Sequence, residues 1–300
     1  MLNTEITVII PSYKNLPLLI KNLQHNLAYL KNYSVIVVND DPSRSIREEL
    51  TPFSQITLVE NKKNYGFGIT VNEGVKHTHT PYLMLLNSDV LLNDTSFHNA
   101  LAHFETNPNL FGVSFAQKEK DGSIVGKNTL YWEKGFVRHK KADSRISGDT
   151  GWLEGGTCIL DRSKFNQLKG FDKCYAPFYW EDIDLSYRAK KNGYTVFFDA
   201  SILVEHHHES TIRSYFESKK IEQIAYRNSI IFIWKNISDS KMRTEHGLYL
   251  LKTIFVLISQ RKFYLVNAIL QASKSLKYLF HQKSKSTIIS DITILKSVHA

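Results

Sequence analysis

The sequence predicts an α/β fold, a mostly parallel sheet flanked by helices and continued by a helical C-terminal appendage. Three observations predict it. Short β-branched and aliphatic runs recur through the first 86 residues, segments of helical period separate them, and from Ile212 the helical period continues nearly to the end. A strand–helix–strand rhythm argues for parallel strands with helices on both faces.

Ile6-Thr7-Val8-Ile9-Ile10 is an apolar run ended by Pro11 and reads as a buried strand. Leu16, Leu19, Leu23, Leu27 and Leu30 lie at helical spacing. Val35 to Val38 is a second buried strand, closed by the turn-forming Asn39-Asp40-Asp41-Pro42. Ile56 to Val59 is a third strand, Gly66 to Lys76 the next helix, and Tyr82 to Leu86 a fourth strand. Polar clusters follow these strands at Pro11-Ser12-Tyr13, Asn39-Asp40-Asp41 and Asn87-Ser88-Asp89, at the carboxyl ends where such sheets bind ligands. Phe111 to Trp152 is less periodic, and Lys134 to Thr150, rich in charge and small polar residues, is expected to be a flexible loop. Gly155-Gly156 opens another strand, Thr157 to Leu160. Trp180 to Asn192 reads as a helix whose acidic start and basic end match the helix dipole. Thr195 to Phe198 and Ile202 to Val204 are the last strands. The expected division is a main α/β domain over residues 1–235 and a basic amphipathic helical region over 236–300.

Three hundred residues bury a sizeable core without disulfides or a structural metal. Cys158 and Cys174 fit neither a disulfide framework nor a four-ligand zinc site, and read as thiols in a reducing compartment. No secretory signal precedes the first strand, and the longest apolar stretch, Gly247 to Ser259, is interrupted by Lys252 and too short to span a bilayer. A cytoplasmic location is expected. The net charge of +9 is concentrated: nine Lys and Arg between Lys241 and Lys285 face one acid, Glu245. Such a tail fits an anionic lipid surface, nucleic acid or a solvated face. No nucleic-acid-binding module appears, and the aromatics do not interleave with the basic residues as a stacking platform would.

Four constellations carry chemistry. Asp40, just past a buried strand, can accept from the N–H edge of a pyrimidine base, although Asp-Pro-Ser is also ordinary turn chemistry. Asn87-Ser88-Asp89 places one carboxylate and polar neighbours where a hard cation, Mg2+ or Mn2+, would share ligands with a diphosphate; the competing reading is again a turn. Phe178 to Leu185 sets Glu181, Asp182 and Asp184 beside Tyr179 and Trp180 at a helix start. Aromatics stack on sugar faces while a carboxylate takes a hydroxyl proton, and for Asp184 the better reading is capping or an ion pair with Arg188. Glu205-His206-His207-His208-Glu209 could lend one histidine to the cation beside Asp89, or be a surface run without a role.

Taken in order, these pieces resemble glycosyltransferase family 2, inverting enzymes of the GT-A (nucleotide-diphospho-sugar transferase) fold. More narrowly they resemble its bacterial rhamnosyl- and galactofuranosyl-transferase-like branch. The matching stretches are Val8 to Lys14, Val37 to Asp40, Asn64 to Gly68 with Asn72-Glu73-Gly74, Leu85 to Asp89, Trp152 to Gly156, Gly170-Phe171-Asp172, and Glu181 to Leu185 with Arg188 and Gly193. A histidine, His206, follows 24 residues after Asp182. The resemblance spans roughly residues 5 to 235.

It implies that Pro11, Tyr13 and Asp40 line the nucleoside pocket, that Asn64, Gly66 and Asn72 close over the nucleotide, and that Asn87 and Ser88 join the donor site. Asp89 is then the metal-binding aspartate of the D-x-D element and His206 completes the metal site, with His208 a rival. Asp182 is the catalytic base, and Trp180, Glu181, Gly155 and Gly156 contact the acceptor or donor sugar. Asn87 departs from the pattern by replacing the first aspartate of D-x-D. The implied donor is a UDP- or dTDP-sugar and the acceptor a glycan or lipid-linked hydroxyl, as in O-antigen, capsule or lipopolysaccharide assembly. Absence of the Gln-x-x-Arg-Trp signature argues for adding one or a few sugars. The rivals are a sugar nucleotidyltransferase, whose Gly-rich phosphate loop is missing after the first strand, and a nucleic-acid-binding protein. The tail would lie on the inner face of the plasma membrane, or pack on the main domain or a second subunit.

Overall fold

Alternation along each early strand sends neighbouring side chains to opposite faces, and both faces are apolar. Val8, Ile10, Val35, Val37, Met84 and Leu86 enter one core cluster, while Ile9, Ile36, Val38, Leu83 and Leu85 enter another. A strand buried on both faces must be a continuous apolar run, which is what the sequence shows at these positions. In the computed structural model, which describes residues 3–206, 214–282 and 288–296, these runs are β1 (Ile6–Ser12), β2 (Ser34–Asn39), β3 (Ile56–Glu60) and β4 (Tyr82–Leu86). Helices α1 (Leu16–Asn26), α2 (Arg47–Leu50) and α3 (Phe67–Val75) connect them. Leu19 and Leu23 of α1 fill the first cluster and Val71 and Val75 of α3 the second, so the helices cover opposite faces.

The chain continues through β5 (Val90–Leu92), α4 (Asn99–Thr106), β6 (Leu110–Lys118), β7 (Ile124–Val125), β8 (Asn128–Glu133), β9 (Phe136–Lys141), β10 (Gly148–Asp149), β11 (Thr157–Asp161), α5 (Arg162–Gln167), α6 (Glu181–Lys191) and β12 (Thr195–His206). The central sheet has the order β10-β12-β6-β11-β4-β1-β2-β3. Strands β12, β6, β4, β1, β2 and β3 run in one direction and β11 runs against them.

Two expectations change. Residues 134–141 are not loop: β8 and β9 form an antiparallel hairpin through Gly135, with Phe136 and Val137 buried and residues 138–141 exposed. The charged run is the solvent side of a strand whose apolar anchor is only two residues long. Thr195 to Phe198 and Ile202 to Val204 belong to one strand, interrupted where its pairing with β6 slips between Asp199 and Leu203.

The last helices are α7 (Ser218–Asn236), α8 (Ser240–Ser259), α9 (Phe263–Lys274), α10 (Leu276–Gln282) and α11 (Asp291–Lys296). They share a third core cluster with α6 and the β8–β9 hairpin, including Ile183, Tyr187, Leu130, Phe232, Leu257 and Ile294. Polar ties reinforce it. Buried Asp291 accepts from Tyr187 Oη at 2.6 Å and Lys191 Nζ at 2.8 Å.

Candidate active site

The carboxyl ends of β1, β2 and β4 open on one cleft of about 300 Å³. Pro11, Ser12 and Tyr13 line it after β1, Asp40 after β2, and Asn87, Ser88 and Asp89 after β4. Asp40 also organises the wall. Its Oδ1 accepts from Asn61 Nδ2 at 2.8 Å and the Tyr65 amide at 2.9 Å, and its Oδ2 from the Gly66 amide at 2.8 Å. Burial pushes its carboxyl above the usual range, while these donated bonds oppose the shift. Asn64 and Gly66 line the cleft, and Asn64 Oδ1 accepts from the Gly66 amide at 3.1 Å. Gly66 has φ 80°, and a Cβ there would fall 2.3 Å from the Pro177 carbonyl oxygen, so the loop closes only with glycine. Asn72 does not reach the cleft. Its carboxamide donates to the Phe171 carbonyl at 2.8 Å and accepts the Phe171 amide at 3.0 Å, tethering α3 to the loop before α6 instead of touching a nucleotide.

The Asp89 loop is braced from below by α1. Asn22 Nδ2 donates to the Ser88 carbonyl at 2.9 Å, and Asn26 holds Val90 and Leu92 of β5. Strand β5 pairs antiparallel with the end of β12, setting His206 opposite Val90. This register brings His206 Nε2 to 3.3 Å from Asp89 Oδ1. On the other side of the ring, Nδ1 donates to the Gln117 Oε1 acceptor at 2.6 Å, which leaves Nε2 to face Asp89, as a lone pair when the ring is neutral. A carboxylate oxygen and an imidazole lone pair at this separation repel unless a proton or a cation lies between them. The pair therefore suits a hard divalent cation. Among the described residues no cluster of three or more His, Cys, Asp or Glu side chains could hold a metal. Of the described residues, Asp89 and His206 would be the two that face such a cation, with phosphate and water as further ligands of the kind Mg2+ takes. His207, His208 and Glu209 lie outside the described residues, so the rivalry of His208 is not addressed by this geometry.

The opposite wall is the start of α6. Tyr179 and Trp180 both have positive φ, 72° and 76°. Such a conformation costs a non-glycine residue energy and persists only where neighbours impose it. Here α7 imposes it. Buried Asn228 Nδ2 donates to the carbonyls of Tyr175, Phe178 and Tyr179 at 2.7, 2.9 and 2.8 Å, and Arg227 Nη2 donates to that of Ala176 at 2.5 Å. The turn delivers Glu181 and Asp182 to the cleft. Burial and the negative charge of Glu154 push the Asp182 carboxyl up to about 7. Burial and Asp182 push Glu181 well above the ordinary range, and its Oε2 is buried with no hydrogen-bond partner among the described residues. Trp180 goes the other way. Its ring packs on Phe232 at 5.1 Å and His139 at 5.4 Å in the third core cluster, so it supports the turn from behind and does not reach the cleft where a sugar would bind. Asp184 likewise faces the interior: it binds Arg188 Nε at 2.7 Å, Lys235 Nζ at 3.0 Å and Asn236 Nδ2 at 2.8 Å, and these cations hold its carboxyl far below the usual range.

Gly155 and Gly156 line the cleft beside α6. Gly156 is required by close approach: a Cβ there would meet the Asn87 side chain at 2.2 Å. Several cleft residues escape sequence reasoning, among them Glu154, Gln117 and Phe216. Glu154 accepts from Lys141 Nζ and Asn128 Nδ2, each at 2.8 Å, which keeps it ionised despite burial. Its position in the Trp152 to Gly156 motif was the available signal. Gln117 and Phe216 carry none, because each reaches the cleft only through the fold: Gln117 lies on β6 beside β12, and Phe216 packs on Phe178 at 5.0 Å.

Among solved structures, GalNAc-T7 with UDP, GalNAc and Mn2+ superposes with a TM-score of 0.63 at 10% identity, over 82% of this chain and 54% of that one. The mannosyltransferase PcManGT from Pyrobaculum calidifontis, in complex with GDP-Man and Mn2+, superposes with a TM-score of 0.53 at 12% identity, over 92% and 90%. These likenesses establish the GT-A fold. Among curated proteins, the poly-beta-1,6-N-acetyl-D-glucosamine synthase of Staphylococcus epidermidis is 22% identical over 173 residues, 56% of this chain and 41% of that protein. Its Staphylococcus aureus counterpart is 20% identical over 166 residues, 54% and 40%. The chain thus spans less than half the length of these relatives. The profile described as glycosyl transferase family 2 matches residues 7–169, more than half of the sequence. The chain belongs to glycosyl transferase family 2.

Proposed function

We propose that the protein transfers a sugar from a nucleotide-diphosphate donor to an acceptor hydroxyl, with inversion at the anomeric carbon. The observation that carries this is the convergence of Asp89, His206 and Asp182, remote in sequence, on one cleft. Asp182 is the general base. A carboxyl near pKa 7 is matched to taking a hydroxyl proton at neutral pH and is partly ionised there. Glu181, held largely protonated by burial and its neighbour, lines the cleft beside Asp182 as a neutral carboxyl able to donate to a sugar hydroxyl. Asn87, Ser88, Asn64 and Gly66 hold the donor from the strand-end side, and Pro11, Tyr13 and Asp40 wall in the base. Asp89 and His206 would hold Mg2+ or Mn2+, which when bound neutralises charge on the diphosphate leaving group.

The relatives support a surface polysaccharide as the pathway product, and the Mn2+-bound neighbours support a divalent cation. We place the chain with the rhamnosyl- and galactofuranosyl-transferase-like branch, using a UDP- or dTDP-sugar and a glycan or lipid-linked acceptor. A lipid-linked acceptor puts the enzyme at the inner face of the plasma membrane. Thermal unfolding with a panel of nucleotide-sugars and Mn2+ tests this: a donor at 100 times its Kd adds about 2.7 kcal/mol of stability. No shift with any nucleotide-sugar, with or without Mn2+, would sink the reading.

A further inference from the structure

The C-terminal helices have two faces, and only one is used by the core. In α8 the inward row is Met242, His246 and Leu257, and in α9 it is Leu265, Ala268, Ile269 and Ala272. The outward row of α8 is also apolar: Leu248, Leu251, Phe255 and Ile258 follow one another at spacings of three and four and are 65%, 59%, 73% and 45% exposed. Phe263 and Leu270 continue the row on α9, each 59% exposed. Single exposed apolar residues are unremarkable, but a row along adjoining helices marks an interaction surface.

Its charge selects the partner. Lys252, Arg261, Lys262 and Lys274 are exposed around the row. The one acid between 241 and 285, Glu245, is turned away: its Oε2 accepts from Trp132 Nε1 at 2.8 Å and its Oε1 from the Gly135 amide at 3.1 Å. Two copies of this face brought together would oppose like charges. No helix among the described residues is long and apolar enough to cross a membrane. We propose that the outward face of the α8–α9 hairpin seats the protein on an anionic lipid surface, with Phe255, Ile258 and Phe263 entering the headgroup–acyl boundary and the surrounding cations meeting the headgroups.

Binding is read without donor or acceptor, so it stands or falls apart from sugar transfer. Deleting the helices would strip the third core cluster, so the full chain is used. The protein floats with vesicles of phosphatidylcholine mixed with phosphatidylglycerol, more weakly with phosphatidylcholine alone, and less as salt rises. Phe255→Glu and Phe263→Glu, both exposed in the folded chain, each lower vesicle affinity about tenfold or more, from lost transfer of a large apolar side chain. Lys252→Glu lowers it at least about fivefold, and only on anionic vesicles. Unchanged thermal unfolding of each variant checks that it is folded. Failure of the parent protein to float with either vesicle, or flotation unaffected by all three substitutions, overturns the proposal. So does a concentration-dependent dimer that Phe255→Glu abolishes in a protein that binds no vesicles.

Discussion

The cleft side and the core side of α6 carry Asp182 and Asp184, identical carboxylates two residues apart that behave in opposite ways. Asp182 borders the cleft, where burial and Glu154 raise its pKa to about 7. Asp184 is fully enclosed, yet Arg188 and Lys235 at 2.7 and 3.0 Å hold it strongly ionised. Burial acts on both, and the difference lies in the partners. One side of the helix keeps a carboxylate reactive by denying it cations, while the other uses a carboxylate to bind α6 to the C-terminal helices. The C-terminal helices thus belong to the scaffold of the site: Asn228, Lys235 and Asn236 of α7 all act on the segment that presents Asp182.

Breaking the core side should have the largest effect. Asp184→Ala leaves Arg188 and Lys235 short of a counter-charge and should cost about 3–5 kcal/mol in chemical denaturation. Because the folded pKa of Asp184 is depressed, its contribution in the parent protein is present above the ordinary aspartate pKa and lost as pH falls below it. Asp182→Asn should do the reverse. Turnover falls at least ~10²-fold with donor affinity nearly intact. Ionising a carboxyl of raised pKa costs the fold stability as pH climbs towards 7, so this variant should be no less stable than the parent protein at higher pH. Near-normal turnover in Asp182→Asn would remove it from the mechanism.

Asn228→Ala tests whether the two sides are coupled. Leaving three carbonyls of the 175–179 turn without their donor should cost about 1–3 kcal/mol. If the turn positions Asp182, kcat falls more than nucleotide affinity; equal losses in both would mean that the asparagine only supports the fold. The subtlest change is Glu154→Gln. Activity of the parent protein should rise with pH through about 7 as Asp182 ionises. Removing the negative charge of Glu154 favours the ionised base, so the acid limb of the pH–rate profile should move to lower pH. A shift to higher pH would contradict the proposed electrostatics.

Much of the cleft was legible because strand ends in a parallel sheet converge by geometry, so local runs such as Val37 to Asp40 and Leu85 to Asp89 already point at one place. Trp180 and Asn72 were misread for a shared reason. A motif identifies a segment, but a positive φ or a packing partner decides which way each side chain turns, and Trp180 turned into the core. Gln117 and Asn228 left no local trace, since a lone Gln on a strand or Asn on a helix resembles any other until its partner is known.

The sequence by itself determined the sheet-and-helix order, the polar clusters at the strand ends and the carboxylates at the start of α6, because hydrophobic period and turn chemistry are properties of neighbouring residues. Tertiary structure alone decided that His206 meets Asp89, through the β5–β12 register, and that Asp182 and Asp184 part ways. The β5–β12 register joins segments more than a hundred residues apart, and Glu154 beside Asp182 and Lys235 beside Asp184 come from other elements; only the Arg188 partner of Asp184, one turn along α6, was local.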